Sequence, residues 1–135
     1  MTTLPSSSRT FLGRALLADG VVSGATGALM FLAASPLSEL LGLPTALLRI
    51  AGFSLIPYAA GVVFLGLRHT VSRAAVWAVV GINLMWAADS LLLLATGWVA
   101  PTALGYAFVV IQALAVAAFA GLQYIGMRPP RAVLA

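Results

Sequence analysis

The side chains able to do chemistry in this chain are few and lie in apolar surroundings. Asn83, Trp86, Asp89 and Ser90 fall within a stretch from Ala74 to Thr96 that is otherwise apolar. At about 100° per residue they share roughly a third of a helix circumference, so one face of that helix is polar. Asp19, Tyr58 and Gln112 add polar groups to other apolar stretches. Two readings fit this set. One is a proton- or ion-linked site in which Asp19 or Asp89 carries a proton while dehydrated, because burial disfavours the charged form. The other is interhelical hydrogen bonding without chemistry, worth ~0.6 kcal/mol per bond on average in membrane proteins.

Other chemistries lack their residues. His69 is the only histidine and sits in a basic turn with Arg68 and Arg73. One chain therefore cannot supply bis-histidine haem ligation or a histidine base at membrane depth. Cysteine is absent, which removes disulfides, thiolate metal sites and cysteine nucleophiles. No phosphate-cradling glycine loop, HExxH motif or Asp-rich metal motif is present. The expectation is a protein that is not an enzyme, with no catalytic residues, no metal and no cofactor.

The elements that must position these residues follow from composition. The chain is 135 residues long, 62% hydrophobic and 7% charged, against ~25% charged in soluble domains. Its mean hydropathy is +1.10. About 20 apolar residues at ~1.5 Å each cross a hydrocarbon core of ~30 Å. Four such spans are expected, at about 11–34, 45–67, 74–96 and 102–125, between a polar tail over 1–10 and a second tail over 126–135. The fold class is an all-α membrane four-helix bundle running up-down-up-down. Arg9 and Arg14 ahead of an apolar run also suggest a cleaved secretory signal, but Asp19, Gly20, Gly24 and Gly27 make a poor signal core, so a retained helix is expected. Between the first two spans, Ser35 is a candidate N-cap with Pro36 following it, for a short interfacial helix or a plain loop. Pro57 is expected to kink the second span and free carbonyls toward the interior.

Arginine placement orients the chain, since cytoplasmic loops hold the excess of Lys and Arg. Arg9, Arg14, Arg68, Arg73, Arg128 and Arg131 fall on one side and Arg49 alone on the other, so both termini are expected in the cytoplasm; arginine without lysine, with heavy Ala, Leu, Gly and Val usage, suggests that the membrane is a bacterial inner membrane. Single arginines at span ends do not form a nucleic-acid surface. Trp77, Tyr124 and Trp98 then sit at the two interfaces, while Trp86 is mid-span. Pro44-Thr45-Ala46-Leu47 and Pro101-Thr102-Ala103-Leu104 open the second and fourth spans alike, a faint echo of duplication.

Small residues recur at four-residue steps. Gly20, Gly24 and Ala28, with Gly27 beside them, mark the first span, and Ala113, Ala117 and Gly121 the fourth. Such stripes let helix backbones approach, either within the bundle or against a partner or second copy.

From about Leu47 onward the chain resembles uncharacterised small bacterial inner-membrane proteins with four predicted spans. The similar features are Leu48-Arg49-Ile50-Ala51-Gly52, Pro57-Tyr58, Asn83-Leu84-Met85-Trp86, Pro101-Thr102-Ala103-Leu104-Gly105, Gln112 and Gly126-Met127-Arg128. The resemblance implies the topology and brings no activity. Size and span count also match small multidrug transporters and fluoride channels, whose functional motifs are missing. The leading expectation is a non-catalytic accessory or scaffolding subunit of a larger membrane complex, such as an energy-transducing one, with lipids and other membrane subunits or itself as partners. The alternatives are a small proton- or ion-linked transporter or channel acting as an oligomer, and a lipid- or pigment-binding module with Trp86 and phenylalanines lining a groove.

Overall fold

The computed structural model of the chain describes residues 6–127, with side chains from Thr10 onward. It is all helical: α1 Ser6–Leu32, α2 Ala34–Leu41, α3 Thr45–Leu67, α4 Arg73–Thr96 and α5 Ala103–Met127. Four of these, α1, α3, α4 and α5, are long and apolar enough to cross a membrane. Expected and observed bounds agree closely for α3, α4 and α5. The first helix starts earlier, at Ser6, because nothing between Ser6 and Phe11 breaks a helix. Arg128, Arg131 and most of the expected tails lie outside the described residues.

Turn chemistry sets the ends. Pro44 precedes α3, where its missing N–H costs nothing, and its carbonyl accepts from Leu48 N at 3.1 Å. Ser72 caps α4 through its side chain, which accepts from Ala75 N at 3.3 Å. Gly97 closes α4 with a φ of 76° and Gly42 closes α2 with a φ of 70°, left-handed values suited to glycine. The short helix α2 forms, but Ser35 does not cap it. The cap position is Ala33, and Ser35 and Pro36 fall within the first turn, where no N–H has an intrahelical partner to lose. Pro57 leaves α3 unbroken; it and Phe53, whose carbonyl it frees, both lie on the outward face rather than toward the interior.

The long helices alternate in direction. Gly27 lies over Gly52 and Gly66 over Gly13, so α1 and α3 are antiparallel; Gly126 lies over Leu12, so α5 also runs against α1. The Arg73 guanidinium donates to Met127 O at 2.7 Å, joining the start of α4 to the end of α5. Helix α1 packs along α3, α4 along α5, and α1 also touches α5, whereas α3 and α4 stand apart along most of their length. Helix α2 closes one end of the bundle. Thr102 caps α5 by accepting from Gly105 N at 3.1 Å, and donates its hydroxyl to Leu40 O at 2.8 Å and its N–H to Leu41 O at 3.0 Å.

The molecule is apolar inside and out. Leu12, Leu16, Leu48, Val62 and Val76 are buried together with the polar Asp19, Ser23, Asn83 and Gln123, while Ile50, Phe53, Phe64, Met85, Ile111 and Leu114 point outward. A surface of large apolar side chains, with the few intramembrane polar groups turned inward, suits lipid as the surrounding solvent.

Candidate functional site: a buried polar hub beneath a lateral cleft

Asp19 lies at the crossing of all four long helices and is 0% exposed. Its Oδ2 accepts from Tyr58 OH of α3 at 2.8 Å, from Asn83 Nδ2 of α4 at 2.9 Å and from Gln123 Nε2 of α5 at 2.7 Å. Its Oδ1 accepts from Ser23 Oγ, one turn along α1, at 3.0 Å. Asn83 Nδ2 also donates to Gln123 Oε1 at 3.0 Å, which closes a ring of side chains. A carboxylate that would cost ~2.5 to 3.5 kcal/mol alone in mid-bilayer is thus met by four donors.

The hub is one proton short of complete pairing. Tyr58 OH also lies 2.7 Å from Asn83 Oδ1, so its single proton faces two acceptors. Turning over the Asn83 amide only moves the oxygen–oxygen contact onto Asp19 and Gln123.

Above the hub, toward α2, the separation of α3 from α4 leaves a cleft of about 370 Å³ that opens sideways between them. Its floor is Thr26 and Met30 of α1 with Phe108 and Gln112 of α5. Its walls are Ser54 and Leu55 of α3 facing Trp86, Asp89, Ser90 and Leu93 of α4. A smaller recess of about 230 Å³, lined by Ser23, Tyr58, Asn83 and Val116, carries the cleft down to the hub. Trp86 Nε1 donates to Gln112 Oε1 at 2.8 Å and so ties α4 to α5 beneath the opening.

No protein-family model, curated protein or solved structure matches this chain. Its geometry is therefore the sole guide to its chemistry.

The structure brings Asp19, Tyr58 and Asn83 together in the hub and places Trp86, Asp89, Ser90 and Gln112 around the cleft. Ser23 and Gln123 also belong to the hub and were not singled out from the sequence. The Asp19-Ser23 spacing of one helical turn was a usable signal for the first. Gln123 lies within a few residues of its helix end, and only the antiparallel register against α1 brings it level with Asp19. Gly20, Gly24 and Gly27 face α3, against Val63, Ala59 and Gly52. Ala28 is half-buried on the same helix, Ala113 is buried, Ala117 half-buried, and Gly121 turns outward with nothing near it. No group of three or more metal-ligating side chains gathers among the described residues.

Proposed function

We propose that the chain is a non-catalytic multi-pass protein of the bacterial inner membrane that takes an amphiphilic molecule from the bilayer into the cleft between α3 and α4. The observation that carries this reading is the cleft itself. It opens toward lipid, is walled by aliphatic and aromatic side chains with a few polar groups, and falls in the ~300 to 1,000 Å³ range of small-molecule sites. Native mass spectrometry of the chain released from lipid nanodiscs should find one amphiphile retained per chain, and Ser54→Trp, which fills the cleft, should lose it. A ligand-free spectrum from the unaltered chain would overturn the reading.

An accessory subunit of a larger assembly is the second reading, favoured by Gly61, Gly81 and Gly121. A Cβ at each of these positions would meet nothing within 4 Å, so three outward helix faces offer close approach to a partner helix. Co-purification in mild detergent of a defined, stoichiometric membrane partner, lost on Gly81→Leu or Gly121→Leu, would favour it over the first.

The orientation has both termini in the cytoplasm, supported by Arg14, Arg68 and Arg73 at the bundle end away from α2. The chain has no cysteine, so single cysteines report sidedness cleanly. A membrane-impermeant maleimide applied to intact spheroplasts should label Ser35→Cys, in α2, and spare Thr70→Cys, in the α3–α4 turn. The reverse pattern would invert the orientation.

A further inference from the structure

Resting on the cleft reading, the next question is what charge its occupant carries. The polar groups around the opening are largely paired: Ser90 Oγ donates to Trp86 O at 2.7 Å, Ser54 Oγ to Ile50 O at 2.8 Å, and Gln112 Nε2 to Val109 O at 2.9 Å. Trp86 Nε1 is held by Gln112, as described above. Asp89 is different. Among the described residues it makes no hydrogen bond or ion pair and is the one charged side chain that lines the cleft.

Its position makes that isolation costly. Asp89 precedes the end of α4 at Thr96 by seven residues, or about 10 Å at ~1.5 Å per residue. A carboxylate on a short stem cannot reach the interface from there, as a long arginine could. Arg49 lies in the same half of α3 but cannot serve: Ala51 and Ser54 face the cleft, and the 100° step puts Arg49 on roughly the opposite face.

We infer that Asp89 is the counter-ion for a lipophilic organic monocation, an ammonium-type charge on an aromatic or alkyl body, held in the cleft. Trp86 and Phe108 supply apolar contact and aromatic faces that attract a cation within about 6 Å. Phospholipids fit poorly. Among the described residues no Arg, Lys or His lines the cleft to receive a phosphate, and the carboxylate repels one.

The test uses tetraphenylphosphonium and tetraphenylborate, ions of nearly the same size, shape and apolarity but opposite charge, with the full chain in nanodiscs. Tetraphenylphosphonium should bind saturably at one per chain, and tetraphenylborate should not exceed its partition into nanodiscs without protein. Asp89→Asn should weaken cation binding by more than about tenfold. Because Asp89 is exposed and unpartnered among the described residues, that variant should fold as the parent does. Glu39→Gln, which removes the exposed acid on α2, should change nothing. Cation binding that ignores Asp89→Asn, or that falls equally with Glu39→Gln, would overturn the assignment. If the cation is indifferent to Asp89 while Ser54→Trp still displaces a neutral amphiphile, the charge inference fails and the cleft reading stands. If Ser54→Trp alters no probe at all, both fail.

Discussion

Replacing Asp19 by leucine should be among the most destabilising single changes in this protein. The substitution leaves Tyr58 OH, Asn83 Nδ2, Gln123 Nε2 and Ser23 Oγ without their shared acceptor at a site that is 0% exposed. An orphaned buried donor costs ~1 to 3 kcal/mol in general. In membranes the average interhelical bond is worth only ~0.6 kcal/mol, because the dissociated helices find other partners. Four donors at ~0.6 kcal/mol each set a floor of roughly 2 kcal/mol and at ~3 kcal/mol each a ceiling of about 12 kcal/mol, a ceiling lowered because Asn83 and Gln123 can recover part by pairing with each other. Asp19→Asn separates the acceptor role from the loss of shape. Its carbonyl can stand where Oδ2 receives three donors, and its amide can donate to the Ser23 hydroxyl, so it should retain most of the stability. Unfolding by SDS in mixed micelles, followed by circular dichroism, measures both. Equal midpoints for Asp19→Leu and the parent would mean that the hub does not hold the helices together.

The hub also marks how far the sequence could be read. Asp19, Tyr58 and Asn83 were conspicuous because polar groups in an apolar span must find one another. The bounds of α3, α4 and α5 were legible because Pro44, the basic turn of Arg68, His69 and Arg73, and Pro101 punctuate the chain next to them. Register between helices was not legible. Asp19 lies thirteen residues from the start of α1 and Gln123 four residues from the end of α5, so only the packing of the two antiparallel helices shows that they meet, at 2.7 Å.

The cleft was less legible still. A five-residue turn joins α3 to α4, and helices joined so tightly ordinarily pack as neighbours. Here α1 and α5 meet between them, and the two chain neighbours are bridged by Tyr58 and Asn83 while diverging toward α2. A groove lined by Trp86 was among the expectations, but its opposite wall, Ser54 and Leu55, was not, because no periodicity in one helix reveals which helix stands across from it.

Gly52→Ala should give the second large effect, through shape rather than polarity. A Cβ at Gly52 would stand 2.6 Å from Gly27 O and 2.8 Å from Phe31 N, both main-chain atoms of α1. A rotamer change cannot relieve a collision with backbone, so α1 and α3 would have to separate along their line of contact. Overpacking costs typically ~1 to 3 kcal/mol, and a clash with a rigid helix belongs at or above the top of that range. Gly27→Ala meets Gly52 O and the Leu55 Cβ, each at 2.8 Å, and should behave similarly. Because both changes force the same separation, the double variant should lose less than the sum of the singles. Gly61→Ala and Gly81→Ala are the matched controls: a Cβ there meets nothing within 4 Å. With no clash to offset it, the better helix propensity of alanine should leave those variants unchanged or up to ~1 kcal/mol more stable. SDS titration of the four single variants would show a destabilised pair and an unaffected pair. Four equal midpoints would mean that α1 and α3 do not meet along the line where Gly27 crosses Gly52.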